Sequence, residues 1–446
     1  MENSRRNFIK KVAAGSSALA VGGIGYGFSA ASYSRIPGAN DRIRMGIMGT
    51  NGRGRKMSAN FALQKNTDVL YICDVEEKAL AKGVKAVEEA VGKTPKTEGD
   101  IRRMVESKDI DAVYLAPPDH WHVPATIMSC VAGKHVYVEK PLSHNPAEGE
   151  MAIEAARKYN RVVQMGAQRR SWKLLTEGIH ALKNGAIGKP YMAKTWYTNN
   201  RGPIGIGKVV PVPSNLDYEL WQGPAPRRPY KDNLIHYNWH WFWNWGTGEA
   251  LNNGTHEVDV ARWGLGIDFP TRVYSVGGRY HYQDDWEAFD TQLITFECGD
   301  KASIVWEGRS CNGSKVEGLD RGVIFYGENG SLHTGHDGYA IYDRDDQLIK
   351  EVKSDIVIDG RDTSSPAASL DNVHIENFLN CVRTGDQPNA DVETGHKSTT
   401  WVQLGNIAQR VERGLTINPE NGHIQGDPEA EKLWGRTYEP GWKPEY

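Results

Sequence analysis

The residues best suited to chemistry fall in three short stretches. The first is Arg42-Ile-Arg-Met-Gly-Ile-Met-Gly-Thr-Asn-Gly-Arg-Gly-Arg55, an apolar run that closes on Gly49, Gly52 and Gly54. Glycines let a backbone approach a pyrophosphate closely, and the free N–H groups of a following helix hydrogen-bond its charge. The middle glycine of the G-x-G-x-x-G pattern is replaced by Asn51; asparagine tolerates φ > 0 better than other non-glycine residues, so the turn is expected to survive. The second stretch is Glu139-Lys140-Pro141, in which the proline fixes the exit and disfavours helix at the lysine. Most lysines are solvated surface charges, but one fixed beside a carboxylate at a strand end is a candidate for work on a ligand. The third is Gly246-Thr-Gly-Glu-Ala-Leu-Asn-Asn-Gly-Thr-His-Glu-Val-Asp259, which puts His256 at or just before a helix start. That histidine either faces a ligand or is held structurally by Asp259 or the backbone.

Strands and helices must bring these stretches together. Ile43, Met45 and Ile47 alternate as a strand would, and a helix is expected from near Arg55. Val69-Leu-Tyr-Ile-Cys73 reads as a second strand ending at Asp74. An acid about 20 residues past such a turn binds adenosine ribose hydroxyls and repels a 2′-phosphate, so NAD is favoured over NADP, although Arg53 and Arg55 remain able to accept a phosphate. Further helices are expected over 76–91, 124–132 and 146–159, alternating with strands 112–116, 135–138 and 161–165. Short strands separated by helices imply a doubly wound parallel sheet with its ligands at the carboxyl ends of the strands. Those ends carry Pro117-Pro-Asp119-His-Trp121-His122, Glu139-Lys140 and Gln168-Arg169-Arg170.

After about Ser171 the texture changes to period-two runs at 290–296, 302–306 and 323–326, bounded by Gly, Asp and Asn, as in an antiparallel sheet solvated on one face. Helices are expected over 371–382 and 398–413, before a Pro/Gly-rich tail from Asn418. Trp239, Trp241, Trp243 and Trp245 occupy alternate positions, either as a core face or as an aromatic platform for sugar rings. The fold class is therefore α/β: an N-terminal Rossmann domain over 36–166, an α+β substrate and oligomerisation domain with an open, mainly antiparallel sheet over 167–417, and a tail over 418–446 packing on the body.

Residues 1–35 read as a signal: Ser4-Arg-Arg-Asn-Phe-Ile-Lys10 resembles the twin-arginine pattern, followed by a weakly apolar Gly/Ala-rich region. Export to the periplasm or medium through the twin-arginine machinery is the expectation. The net charge of −3 over 446 residues, with no basic stripe, argues against nucleic acid as a partner. Five cysteines at 73, 130, 298, 311 and 381 match neither a disulfide framework nor a metal spacing, so no metal is expected.

With these motifs in place, the chain from about Arg42 onward resembles the Gfo/Idh/MocA oxidoreductases, the group of glucose-fructose oxidoreductase and inositol dehydrogenase. The turn, Pro118-Asp-His-Trp-His122, Glu139-Lys-Pro141, Asn252-x-Gly-x-His256, Gln387-Pro-Asn-Ala-Asp391 and Gly395-His-Lys-Ser398 carry the likeness. The resemblance implies a Rossmann domain, a second α/β domain whose open sheet face forms a homo-oligomer, and a sugar or glycoside substrate. By position it implies Lys140 as the residue that positions a substrate hydroxyl and His256 as general base. Asn252 stands where the family commonly has Asp, and it cannot take a proton or stabilise an imidazolium by charge. The cofactor residues implied are Gly49, Asn51, Gly52, Arg53, Gly54, Asp74, Pro117, Asp119, Trp121, His122, Glu139, Lys140 and Gln168. Candidate substrate contacts are Arg169, Tyr197, Trp241, Asn253 and Thr255. The chain also resembles exported NAD-dependent glycosidases of the family, whose Tyr-Pro-Thr-His occupies the place of Asn253-Gly-Thr-His256.

Three functions follow as expectations: an exported NAD(P)-dependent sugar oxidoreductase; a glycosidase that oxidises, eliminates, hydrates and re-reduces with no net redox change; and a nucleotide- or sugar-binding protein without turnover.

Overall fold

The computed structural model describes residues 42–354 and 367–446, so the signal expectation lies outside the described residues. The first part alternates β1 (Ile43–Met48), α1 (Arg53–Ala62), β2 (Thr67–Cys73), α2 (Glu77–Val91), β3 (Lys96–Glu98), α3 (Ile101–Glu106), β4 (Ala112–Leu115), α4 (His122–Val131), β5 (His135–Val138), α5 (Pro146–Lys158) and β6 (Val163–Met165). Its six strands run parallel in the order β3-β2-β1-β4-β5-β6. The order reverses between β1 and β4, and the crevice beyond their carboxyl ends is the place such sheets reserve for ligands. The glycine turn leaves β1 and Pro117 leaves β4 at this point, side by side.

Next come α6 (Lys173–Lys183), β7 (Pro190–Thr198), α7 (Tyr218–Gln222) and α8 (Thr255–Leu265). They precede β8 (Arg272–Gly278), β9 (Thr291–Glu297), β10 (Ser303–Arg309), β11 (Arg321–Gly327), β12 (Gly330–Thr334), β13 (Gly338–Tyr342) and β14 (Leu348–Lys353). The chain ends with α9 (Ala367–Thr384), α10 (Val392–Arg410), β15 (Leu415–Thr416) and α11 (Pro428–Glu431). Nine strands form the second sheet, antiparallel throughout except for the β7–β10 pair. Its alternating side chains bury Val273, Ile294, Phe296, Ile304, Trp306 and Phe325 against α6, α8 and α10. On the other face Val276 is 63% and Leu293 41% exposed, so one surface of the sheet stays open.

Two late segments return to the first sheet. α9 lies beyond residue 167 in chain order, yet it inserts Ile375, Phe378 and Leu379 into the core built by Phe61, Tyr114 and Tyr137. The tail does the same at the opposite side. Arg436 is ion-paired with the fully buried Glu148 at 2.6 Å and donates to the His120 carbonyl at 2.7 Å, while Trp442 meets Trp121 edge-on at 5.4 Å. All five cysteines are buried thiols, and no helix among the described residues is long and apolar enough to cross a membrane.

Candidate active site

A single cavity of about 600 Å³ runs from the glycine turn to His256. At the turn, Gly49 has φ +82°, and a Cβ there would lie 2.5 Å from the Ala116 carbonyl oxygen. A Cβ on Gly54 would lie 1.7 Å from the oxygen of Gly49, so both glycines are required by the packing of the turn itself. Gly52 differs, since nothing comes within 4 Å of where its Cβ would be and it lines the cavity. It also precedes α1 without any side-chain cap, which leaves the first N–H groups of the helix for a ligand. Asn51 does not use the left-handed conformation that its residue type allows; Gly49 takes the positive φ instead, and the Asn51 side chain accepts from Lys82 Nζ at 2.6 Å.

Asp74 ends β2 in the same cavity, accepting from the Thr50 N–H at 2.7 Å and the Glu76 N–H at 3.0 Å. Burial pushes its pKa up, against the pull of these two donors. The open backbone at Gly52, the uncapped helix and the acid at the second strand end together fit a dinucleotide: Gly49–Gly54 for the pyrophosphate and Asp74 for the ribose.

The Arg53 side chain has another task. Its Nε donates to Glu139 at 2.9 Å and its two terminal nitrogens to Asp371 at 2.6 Å each, so the guanidinium fastens α1 to the end of β5 and to α9. It is thereby drawn away from the phosphate role that its position suggests. Tyr114 Oη also donates to Glu139, at 2.8 Å, which fixes the strand end that carries Lys140.

Lys140 Nζ donates to the Asn252 carbonyl at 2.5 Å and to Asn252 Oδ1 at 3.0 Å. The carbonyl is available because Ala250–Gly254 is a π-helical turn, a geometry that departs from the regular i→i−4 ladder. Asn252 therefore works on Lys140, and its Nδ2 reaches Tyr237 Oη and Glu249, both at 3.3 Å. Burial lowers the Lys140 pKa, opposed by Glu139 and Asp119. His256 follows on α8 and lines the cavity, with no hydrogen bond to either ring nitrogen among the described residues. Its pKa lies well below the usual histidine value, first through burial and then through Lys140, Arg321 and Arg169. That shift favours the neutral ring, and no hydrogen bond among the described residues occupies its nitrogens, as a proton acceptor requires.

The remaining expected residues divide into two groups. Pro117, Asp119, Trp121, His122, Glu139, Gln168 and Arg169 line the cavity. Three of them spend their polar atoms inside the protein: Asp119 accepts from Thr247 Oγ1 at 2.5 Å, Trp121 Nε1 donates to the Trp221 carbonyl at 3.0 Å, and both His122 nitrogens face carbonyls of Pro117 and Pro141. Tyr197, Trp241, Asn253 and Thr255 stand outside the residues that line the cavity. Trp241 stacks on Trp286 at 3.9 Å, Asn253 is held by Glu249 and Arg321, the Thr255 hydroxyl donates to the Leu251 carbonyl at 2.8 Å, and the Tyr197 hydroxyl accepts from Asn199. The wall is made instead by Tyr237, Trp239 and His240, the last two stacked at 3.6 Å.

Arg321, His336 and Asp371 also line the cavity, and the motif reading missed them. Only Arg321 carried a signal, as a charge heading the apolar run Gly322-Val-Ile-Phe325. No cluster suited to a metal ion exists among the described residues.

Comparison with known proteins matches this geometry. The family model described as "Oxidoreductase family, NAD-binding Rossmann fold" covers residues 43–167, and "Oxidoreductase family, C-terminal alpha/beta domain" covers 191–444. The chain belongs to the Gfo/Idh/MocA oxidoreductase family. Its first domain binds NAD. Myo-inositol 2-dehydrogenase from Thermotoga maritima is 28% identical over 294 residues, 65% of this chain and 74% of that protein. A glycosyl hydrolase family 109 protein from Saccharopolyspora erythraea is 29% identical over 247 residues, 46% of this chain. The matched region spans 54% of that relative's own length, little more than half. Scyllo-inositol dehydrogenase from Lactobacillus casei, solved with NAD(H) and scyllo-inositol, has the same fold, with a TM-score of 0.62 at 17% identity over 84% of this chain and 99% of that one.

Proposed function

We propose that this member of the family is an exported NAD-dependent oxidoreductase that acts on a carbinol of a sugar or glycoside. The observation that carries the reading is that Lys140 and His256, whose ring has no hydrogen bond among the described residues, line one cavity with the dinucleotide turn. When bound, NAD supplies the two-electron acceptor. The protein's own part is proton handling: His256 takes the hydroxyl proton, and Lys140 donates a hydrogen bond to the oxygen as charge develops on it. Asn252 holds Lys140 from two oxygens and so sets where that ammonium stands. The inositol dehydrogenases among the relatives support a polyhydroxylated substrate.

A second reading is favoured by the likeness to glycosyl hydrolase family 109 proteins: the same residues would cleave a glycoside with only transient oxidation. One experiment separates the two. Purified protein is incubated with NAD and a panel of sugars and nitrophenyl glycosides, following NADH absorbance and aglycone release together. Absorbance that grows with substrate supports net oxidation, whereas aglycone without NADH supports cleavage. In either case His256→Ala is expected to lose about 10²–10⁴-fold in the chemical step. Near-normal single-turnover rates in that variant would remove the base assignment.

The twin-arginine pattern Arg5-Arg6 supports export. Changing both to lysine is expected to leave the precursor in the cytoplasm; normal appearance of the doubly changed protein outside it would sink this part of the reading.

A further inference from the structure

Three basic side chains gather around His256. Arg169 enters from the loop after β6, Arg321 from the start of β11 and Lys140 from the end of β5, and all three line the cavity with the histidine. One carboxylate serves the two arginines: Glu257 Oε1 lies 3.2 Å from Arg169 Nη1 and 3.2 Å from Arg321 Nε. Glu257 is fully buried, yet neither of its oxygens receives a hydrogen bond, because both guanidiniums meet it off-axis. Arg321 Nε is buried and has no hydrogen-bond acceptor. The Arg169 side chain makes no hydrogen bond among the described residues beyond this ion pair.

The next carboxylates are already engaged. Asp259 is gripped by Arg170 at 2.8–3.0 Å, and Asp320 by His336 at 2.6 Å. Glu139 belongs to Arg53 and Tyr114, and Asp119 to Thr247. Arg321 is also held in place, with its guanidinium 4.8 Å over the Tyr197 ring and one nitrogen on Asn253 Oδ1 at 2.7 Å. Two positioned guanidiniums that line the cavity and share one poorly bonded carboxylate are suited to an anion.

We propose that the sugar taken by this site carries an anionic group, carboxylate or phosphate, bound by Arg169 and Arg321. The inference rests on the sugar oxidoreductase reading and narrows its substrate class. A neutral sugar would leave these donors facing hydroxyls; an anion converts them into charge-assisted hydrogen bonds, the strongest kind available to arginine.

The test is calorimetric titration of the NAD-saturated protein with matched ligands: D-glucuronate against D-glucose, D-galacturonate against D-galactose, and glucose 6-phosphate to separate phosphate from carboxylate. An anionic ligand is expected to bind on the order of 10- to 100-fold more tightly than its neutral partner. Added salt should erode that advantage. Arg169→Gln should abolish it while NAD affinity is retained, and Arg169→Lys should keep part of it, which guards against a misfolded variant. Equal or tighter binding of the neutral partner in every pair overturns the proposal, as does an anion preference that survives Arg169→Gln or a lack of binding by every anion. NADH absorbance recorded in parallel keeps the two ideas apart: anion preference without turnover sinks the oxidoreductase reading alone, and turnover of neutral sugars without preference sinks this one alone.

Discussion

The two ends of the cavity use arginine in opposite ways. At the turn, Arg53 is saturated, with Glu139 and Asp371 both on its fork. At the histidine end, Arg169 and Arg321 share one carboxylate that neither meets squarely. The first arrangement spends the guanidinium on two carboxylates within the protein, so its product is rigidity: strand end, dinucleotide turn and α9 are pinned to one point. The second leaves donors unspent, so its product is affinity for something else. A guanidinium in a pocket is thus identified by its hydrogen-bond balance and not by its presence.

The largest effect that would break this contrast comes from Arg53. Arg53→Ala strands two buried carboxylates and is expected to cost about 3–5 kcal/mol in equilibrium denaturation at neutral pH. Arg169→Ala should cost less, because Arg321 remains on Glu257. If both variants lost stability equally, the distinction between fastener and receptor would fail.

A smaller effect sharpens the comparison within the turn. Gly52→Ala meets no neighbour, so stability should stay within about 0.5 kcal/mol. NAD affinity should nevertheless fall about tenfold, as the methyl group displaces a hydrogen bond to a charged phosphate. Gly54→Ala, pressed to 1.7 Å from the Gly49 oxygen, should instead lose folded protein. Unchanged NAD binding in Gly52→Ala would show that ligand does not approach the backbone there.

What was legible in the sequence follows from how the parts are made. The turn, Asp74 and the Lys140 strand end are built from consecutive residues whose types dictate local geometry, so they could be read directly. The tryptophan row could not. Alternate positions share a face only in extended backbone, and here Asn238–Trp241 is a 3₁₀ turn. The four rings scatter: Trp239 onto His240 at the cavity, Trp241 onto Trp286, Trp243 toward Phe289 and Trp245 toward Trp221. Asp371 and Arg436 were invisible for a different reason. Each meets its partner across more than 300 residues, and no periodicity records such a pairing.

That separation has a consequence for the order in which the protein can be made. Arg53 leaves the ribosome 318 residues ahead of Asp371, an interval of roughly 15–60 s at ordinary synthesis rates. Until α9 is made, the parallel sheet lacks the helix that covers Phe61, Tyr114 and Tyr137, and Glu148 in its turn waits 288 residues for Arg436. A fragment ending near residue 167, the cut that chain order invites, would expose that aromatic face and leave Arg53 without Asp371. The nucleotide half therefore takes part of its core, and the second partner of the arginine beside its dinucleotide turn, from a helix made long after its own last strand.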